Sequence, residues 1–163
     1  MACNITQGIT NPCSDTQGGL LYVEFADLGT LGVINYDVTD TDVINSFSGS
    51  PTWYKYELNS TANNFVENIM SNADAGTTYY EQVLTLSLKK LDAQKTKELK
   101  LLTYGRPHCK ITDVNGNVLV CGLINGMKVT GGSSATGGAM ADFNGYTLTL
   151  TGQEKTPANF LIT

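Results

Sequence analysis

Period-two alternation of apolar and polar side chains dominates this chain. Thr52 to Leu58 contains Trp53, Tyr54, Lys55, Tyr56 and Glu57, a run of bulky residues interleaved with charges. Val83 to Leu88 places Leu84, Leu86 and Leu88 on one side of an extended backbone, and Tyr146, Leu148 and Leu150 alternate with Thr147, Thr149 and Thr151. Such patterns fit half-buried strands, because successive side chains leave a strand on opposite faces. The same reading predicts strands over Leu20–Phe25 and Leu31–Val38. Residues 61–71 fit either a helical stripe or a strand. A strand is preferred, because Asn63 and Asn64 are poor helix formers and Ala73 to Gly76 reads as a hairpin turn into Thr77–Lys89.

One segment carries helical signals. Asp92 can cap a helix running to Tyr104, Gly105 marks its end, and Pro107 prevents continuation. Leu91, Leu99 and Leu102 share a face, with Lys95, Lys97, Glu98 and Lys100 mostly outside it. Beyond it, Asn115-Gly116 predicts a tight hairpin between Cys109–Val114 and Val118–Ile124. A short strand over Met127–Thr130, a flexible loop over Gly131–Gly138 and a last strand over Asp142–Thr151 complete the chain, with a tail from Gly152. Residues 1–19, rich in Gly, Asn and Pro, read as an extended N-terminal arm preceding a single β-rich domain over residues 20–163. The expected fold is mainly β: an antiparallel β-sandwich or partly closed barrel of roughly seven to nine strands with one flanking helix.

Composition narrows the function. Only 15% of residues are charged, against 41% hydrophobic, in a chain of 163 residues. So few charges suit a protein that hides much of its surface in an assembly. The net charge of −5 argues against a DNA-gripping module, which would need a basic stripe. No run is long and apolar enough to span a bilayer, and no secretory signal is visible, so reduced cysteines in a cytoplasm are expected. In that compartment the sequons at Asn4 and Asn59 carry no meaning.

Candidate chemistry is sparse. The single histidine, His108, stands beside Cys109, but neighbours on a strand point apart, so it reads as a polar residue at a strand start rather than half of a nucleophilic pair. The cysteine spacings, Cys3 to Cys13 and Cys109 to Cys121, match no metal motif. A two-residue hairpin loop would pair Lys110 with Cys121 and turn the two sulfurs to opposite faces; a loop of three or five residues would set them opposite each other. Asp37, Asp40 and Asp42 cluster at a hairpin tip. They lack the glycine and terminal glutamate of a calcium loop and read as solvated acids. Neither phosphate-binding glycine pattern occurs. The expectation is therefore a non-enzyme with no catalytic, metal or cofactor-binding residue and no cofactor.

Two stretches, read together, resemble known virion proteins. The arm from Gly8 to Leu20 (Gly8-Ile9-Thr10-Asn11-Pro12-Cys13-Ser14-Asp15-Thr16-Gln17-Gly18-Gly19-Leu20) resembles the start of virion structural proteins from Bacteroidetes-infecting, crAss-like phages. The second half resembles tail-tube-like proteins of tailed phages: a helix ending Leu102 to Gly105, the Asp113-Val114-Asn115-Gly116-Asn117 hairpin, Gly122 and Gly126, a small-residue loop, and Asp142 to Glu154. The middle, Thr30 to Lys90, matches in strand pattern alone.

The resemblance implies a homo-oligomeric ring, hexameric or a multiple of that, forming a tail tube or a neck or tail ring. Other phage neck and tail proteins would be partners, and genomic DNA would pass the lumen without sequence-specific binding. The place of action would be the virion, with assembly in the bacterial host cytoplasm and no membrane partner. The Asp37, Asp40, Asp42 tip is then the candidate lumen-facing acidic loop. The alternative is a carbohydrate- or receptor-binding β-sandwich on the virion surface, which predicts an exposed aromatic platform around Trp53 and Tyr56.

Overall fold

The computed structural model describes residues 3–58 and 62–163, so the Asn59 sequon lies outside the described residues. Among the described residues there are eleven strands and one helix: β1 (Leu20–Ala26), β2 (Ile34–Tyr36), β3 (Val43–Phe47), β4 (Tyr54–Glu57), β5 (Asn64–Asn72), β6 (Thr77–Lys89), α1 (Ala93–Tyr104), β7 (His108–Asp113), β8 (Val118–Cys121), β9 (Lys128–Ala135), β10 (Gly145–Glu154) and β11 (Asn159–Leu161). They build two sheets. The larger has the order β2-β3-β11-β8-β7-β1-β4 and the smaller the order β5-β6-β10-β9. All pairings are antiparallel except β11 with β3. The fold is mainly β with one helix, as expected, and neither sheet closes into a barrel.

One hydrophobic cluster joins both sheets and the helix. Val23 and Phe25 of β1 and Cys109 and Ile111 of β7 meet Leu84 and Leu86 of β6 and Leu148 and Leu150 of β10, with Leu99 and Leu102 of α1. The alternation in β6 and β10 accounts for this: even-numbered positions are buried while the intervening threonines stay half-exposed. The middle of the larger sheet is buried on its other face too. Lys110 and Thr112 pair with Val120 and Val118, and Val120 and Ile44 are both fully buried there. On that face Trp53, just before β4, packs against Phe47 of β3. The sheet therefore curls strongly while remaining open, since β3 and β4 stand near its opposite edges.

The helix forms as its signals predict. Asp92 caps it by accepting from the amides of Gln94 (3.2 Å) and Lys95 (3.4 Å). Gly105 ends it in extended backbone rather than a left-handed turn, with its amide on the Leu101 carbonyl.

Three expectations change. The Gly131–Gly138 loop is largely strand: β9 runs to Ala135 and pairs with β10. Glycine is needed inside that strand, because a Cβ on Gly132 would stand 2.4 Å from the Thr147 carbonyl oxygen. Five residues rather than two stand between the last paired residues of the hairpin, Thr112 and Val118, so Cys109 pairs directly with Cys121. The Asp113 carboxylate explains the wider loop, since it accepts from the amides of Asn115 (2.9 Å) and Asn117 (2.8 Å) and the Asn117 side chain (3.1 Å). Finally, Leu31–Val38 contributes just three strand residues.

Candidate assembly surface

The predicted chemical candidates turn out to be structural. His108 is 2% exposed and sits at the start of β7. Its Nε2 accepts the Gly29 amide at 3.0 Å, and an amide can only donate, so Nδ1 carries the proton and donates to the Gly122 carbonyl at 2.6 Å. Cys109 and Cys121 are both fully buried, and the Cys121 thiol points to the Cys109 carbonyl at 3.5 Å. Burial, then the Cys121 sulfur beside it, pushes the Cys109 thiol well above its ordinary range, and its side chain packs in the core cluster.

The acidic tip joins β2 to β3. Asp37 Oδ2 accepts from the Thr39 hydroxyl and from the Thr39 and Asp40 amides, and Asp40 Oδ1 accepts the Asp42 amide. The Thr39 hydroxyl holds the Asp37 carboxyl below its usual range. The three residues share one turn, in which backbone amides engage the carboxylates of Asp37 and Asp40. Among the described residues no group of three His, Cys, Asp or Glu side chains could hold a metal ion.

The aromatic residues are split between faces. Tyr56 packs edge-on against Phe25 on the core side, while Trp53 lies under the Lys110 ammonium on the other. A single platform around Trp53 and Tyr56 is not formed. Lys110 also makes a 2.8 Å ion pair with Glu24, directly opposite it on β1.

A buried polar chain went unread in the sequence. The Gln82 Oε1 accepts the Gly122 amide (3.0 Å), and its Nε2 donates to Glu67 Oε2 (3.0 Å), which also accepts the Ala158 amide (2.8 Å). With the His108 bond this links both sheets through their shared interior. The available signal was Gln82 itself, which stands at the same alternation parity as Leu84 and Leu86.

The sheet edges differ sharply. The larger sheet ends in β2 and β4, three and four residues long. The smaller ends in β5 and β9, nine and eight residues long. Neither long edge contains proline, and each carries one charged side chain, Glu67 in β5 and Lys128 in β9. Exposed apolar groups accompany β5: Ile69 is 68% exposed, with Val66, Met70 and Tyr79 nearby. Unpaired, uncharged edges of this length template pairing with another chain, and proteins that stay alone usually blunt them.

No family model, curated protein or solved structure matches this chain. Among the described residues no helix is long and apolar enough to cross a membrane.

Proposed function

We propose that this chain is a non-catalytic structural subunit of a tailed bacterial virus. It assembles with copies of itself into a ring or tube that conducts DNA, as a tail tube or a neck or tail ring. The observation that carries the reading is the pair of long, nearly uncharged edges, β5 and β9, on opposite sides of one four-stranded sheet. A sheet with two open, complementary edges joins head to tail, and head-to-tail joining closes into a ring when the rotation allows. Closure removes every edge from solvent. The two-sheet packing with a flanking helix is then read as a tail-tube-like sandwich. The low charge content and the resemblance of the arm and second half to phage virion proteins point the same way.

An acidic chain also suits a conduit, since a surface without a basic stripe does not grip the phosphate backbone. The test is the mass of the purified chain in solution, followed by negative-stain imaging at rising protein concentration. Annular particles with a central hole support the reading. A monomer at every concentration, with an exposed β9 edge by hydrogen exchange, contradicts it.

A further inference from the structure

Three Asn-Gly pairs occur in the chain, at Asn115, Asn125 and Asn144. In such a pair the glycine nitrogen can attack the preceding side-chain amide, because glycine has no Cβ to shield it. The three sites differ in what surrounds the glycine. Gly126 and Gly145 are buried. A Cβ on them would stand 2.5 Å from the Arg106 carbonyl oxygen and 2.1 Å from the Leu88 carbonyl oxygen, so their backbones have little room to turn. Gly116 is exposed in the loop between β7 and β8, with φ of +88° and open space where a Cβ would stand. Its amide makes a long, 3.3 Å bond to the Asp113 carbonyl.

Asn115 also fastens the root of the arm to this loop. Its Oδ1 accepts the Gln17 amide at 3.0 Å, and its Nδ2 donates to the Gln17 carbonyl at 2.7 Å. Two residues further on, Gly19 accepts the Val114 amide at 3.2 Å, and β1 begins at Leu20. While both Gln17 bonds hold, the Asn115 amide is committed to the arm. Cyclisation requires it to let go and swing onto its own backbone. The product cannot refasten in the same way. A carboxylate has no N–H to give, so one of its oxygens would face the Gln17 carbonyl oxygen where a donor stood. It would also add a negative charge beside the Asp113 carboxylate, which already organises the loop through the amides of Asn115 and Asn117.

We infer that Asn115 is a self-modification site that acts as a one-way latch on the arm's root. When the root lifts, the Gly116 nitrogen attacks Asn115 Cγ. A nitrogen–carbon bond forms, and Nδ2 leaves as ammonia, taking up the proton that the Gly116 nitrogen gives. Water then opens the succinimide ring at either carbonyl, leaving aspartate or isoaspartate and restoring the Gly116 N–H. The net change is one water taken up and one ammonia released, with no oxidation or reduction. Isoaspartate further lengthens the main chain of the loop by one methylene. The inference needs neither a ring nor a second copy, so it goes beyond the conduit reading and stands or falls separately from it.

The test incubates the full-length chain in mildly alkaline buffer and follows the amide-to-acid mass change at each Asn-Gly pair by peptide mass spectrometry. Asn115 is expected to convert about tenfold or more faster than Asn125 and Asn144, whose glycines need local opening of buried backbone first. Gln17→Pro removes the amide that Asn115 Oδ1 accepts, at an exposed position outside every strand. It is expected to speed conversion at Asn115 by about three- to tenfold, the worth of one hydrogen bond, and to leave the other two rates unchanged. In the converted chain, and in Asn115→Asp made directly, the Gln17 amide is expected to exchange its hydrogen about tenfold faster by nuclear magnetic resonance. Equal conversion at the three pairs overturns the site. A Gln17→Pro rate equal to the parent's, or Gln17 protection unchanged in both acid forms, overturns the latch.

Discussion

Gln82 shows how a polar side chain holds two sheets in one relative position. It is 1% exposed, yet both ends of its amide are bonded, to Gly122 and to Glu67. Truncation would leave the buried Gly122 amide without its acceptor, remove one donor from the half-buried Glu67 and open a cavity, and a buried unsatisfied group alone costs about 1–3 kcal/mol. Gln82→Ala is expected to lower unfolding free energy by about 3 kcal/mol, read from the denaturation midpoint at unchanged slope. Asp113 acts at the surface. Burial is the largest single influence and raises its carboxyl, but the bonds from Asn117 and Asn115 together outweigh it and leave it below the ordinary 3.8. A depressed carboxylate contributes stability that is present above its unfolded value and is lost as pH falls through the folded value. The loss therefore sets in below about pH 4. Asp113→Asn is expected to flatten that acid limb in thermal melts between pH 5 and pH 2. At neutral pH it should cost under about 1 kcal/mol, because the site is mostly solvated.

At the scale of elements, some of the fold was legible and the rest was hidden by local chemistry. Thr77–Lys89 is legible because its alternation is long, and Asp92–Tyr104 because Asp92 and Gly105 bound it, while Leu20–Phe25 shows as a short apolar run although its register shifts between Leu20 and Tyr22. β9 could not, since Gly131, Gly132, Ser133 and Ser134 have the composition of a linker; the close approach of β10 is what demands those small residues. The cysteine register stays open in the sequence because Asn115-Gly116 signals a two-residue loop, whereas the Asp113 carboxylate gathers three donors and selects the wider one. β3 and β11 are short, and their pairing is long-range: Phe160 meets Val43 across most of the chain. The long free edges β5 and β9 were invisible for a related reason, since which strands end a sheet is decided by tertiary pairing. Ser133→Lys with Ala135→Lys would place two positive charges on the outward side of β9. The expected outcome is a monomer melting within about 2 °C of the parent, with self-association weakened by about tenfold or more. Sedimentation alongside thermal denaturation separates these two effects.

The whole molecule is two open sheets around one core, with an exposed arm before β1 and two long edge strands on its smaller sheet. Each of these features leaves hydrogen-bonding or apolar groups that a second copy could satisfy. The single histidine, the buried thiols and the acidic turn are all occupied with holding the fold together. That division, with structural roles inside and unmet pairing capacity outside, is the basis for reading the chain as a building unit. The most direct measurement is the mass and negative-stain image of the purified full-length chain over a concentration series. The account predicts closed annular or tubular particles with a central hole, abolished by the β9 lysines. A chain that remains monomeric throughout, or particles that persist unchanged with those lysines in place, would contradict it.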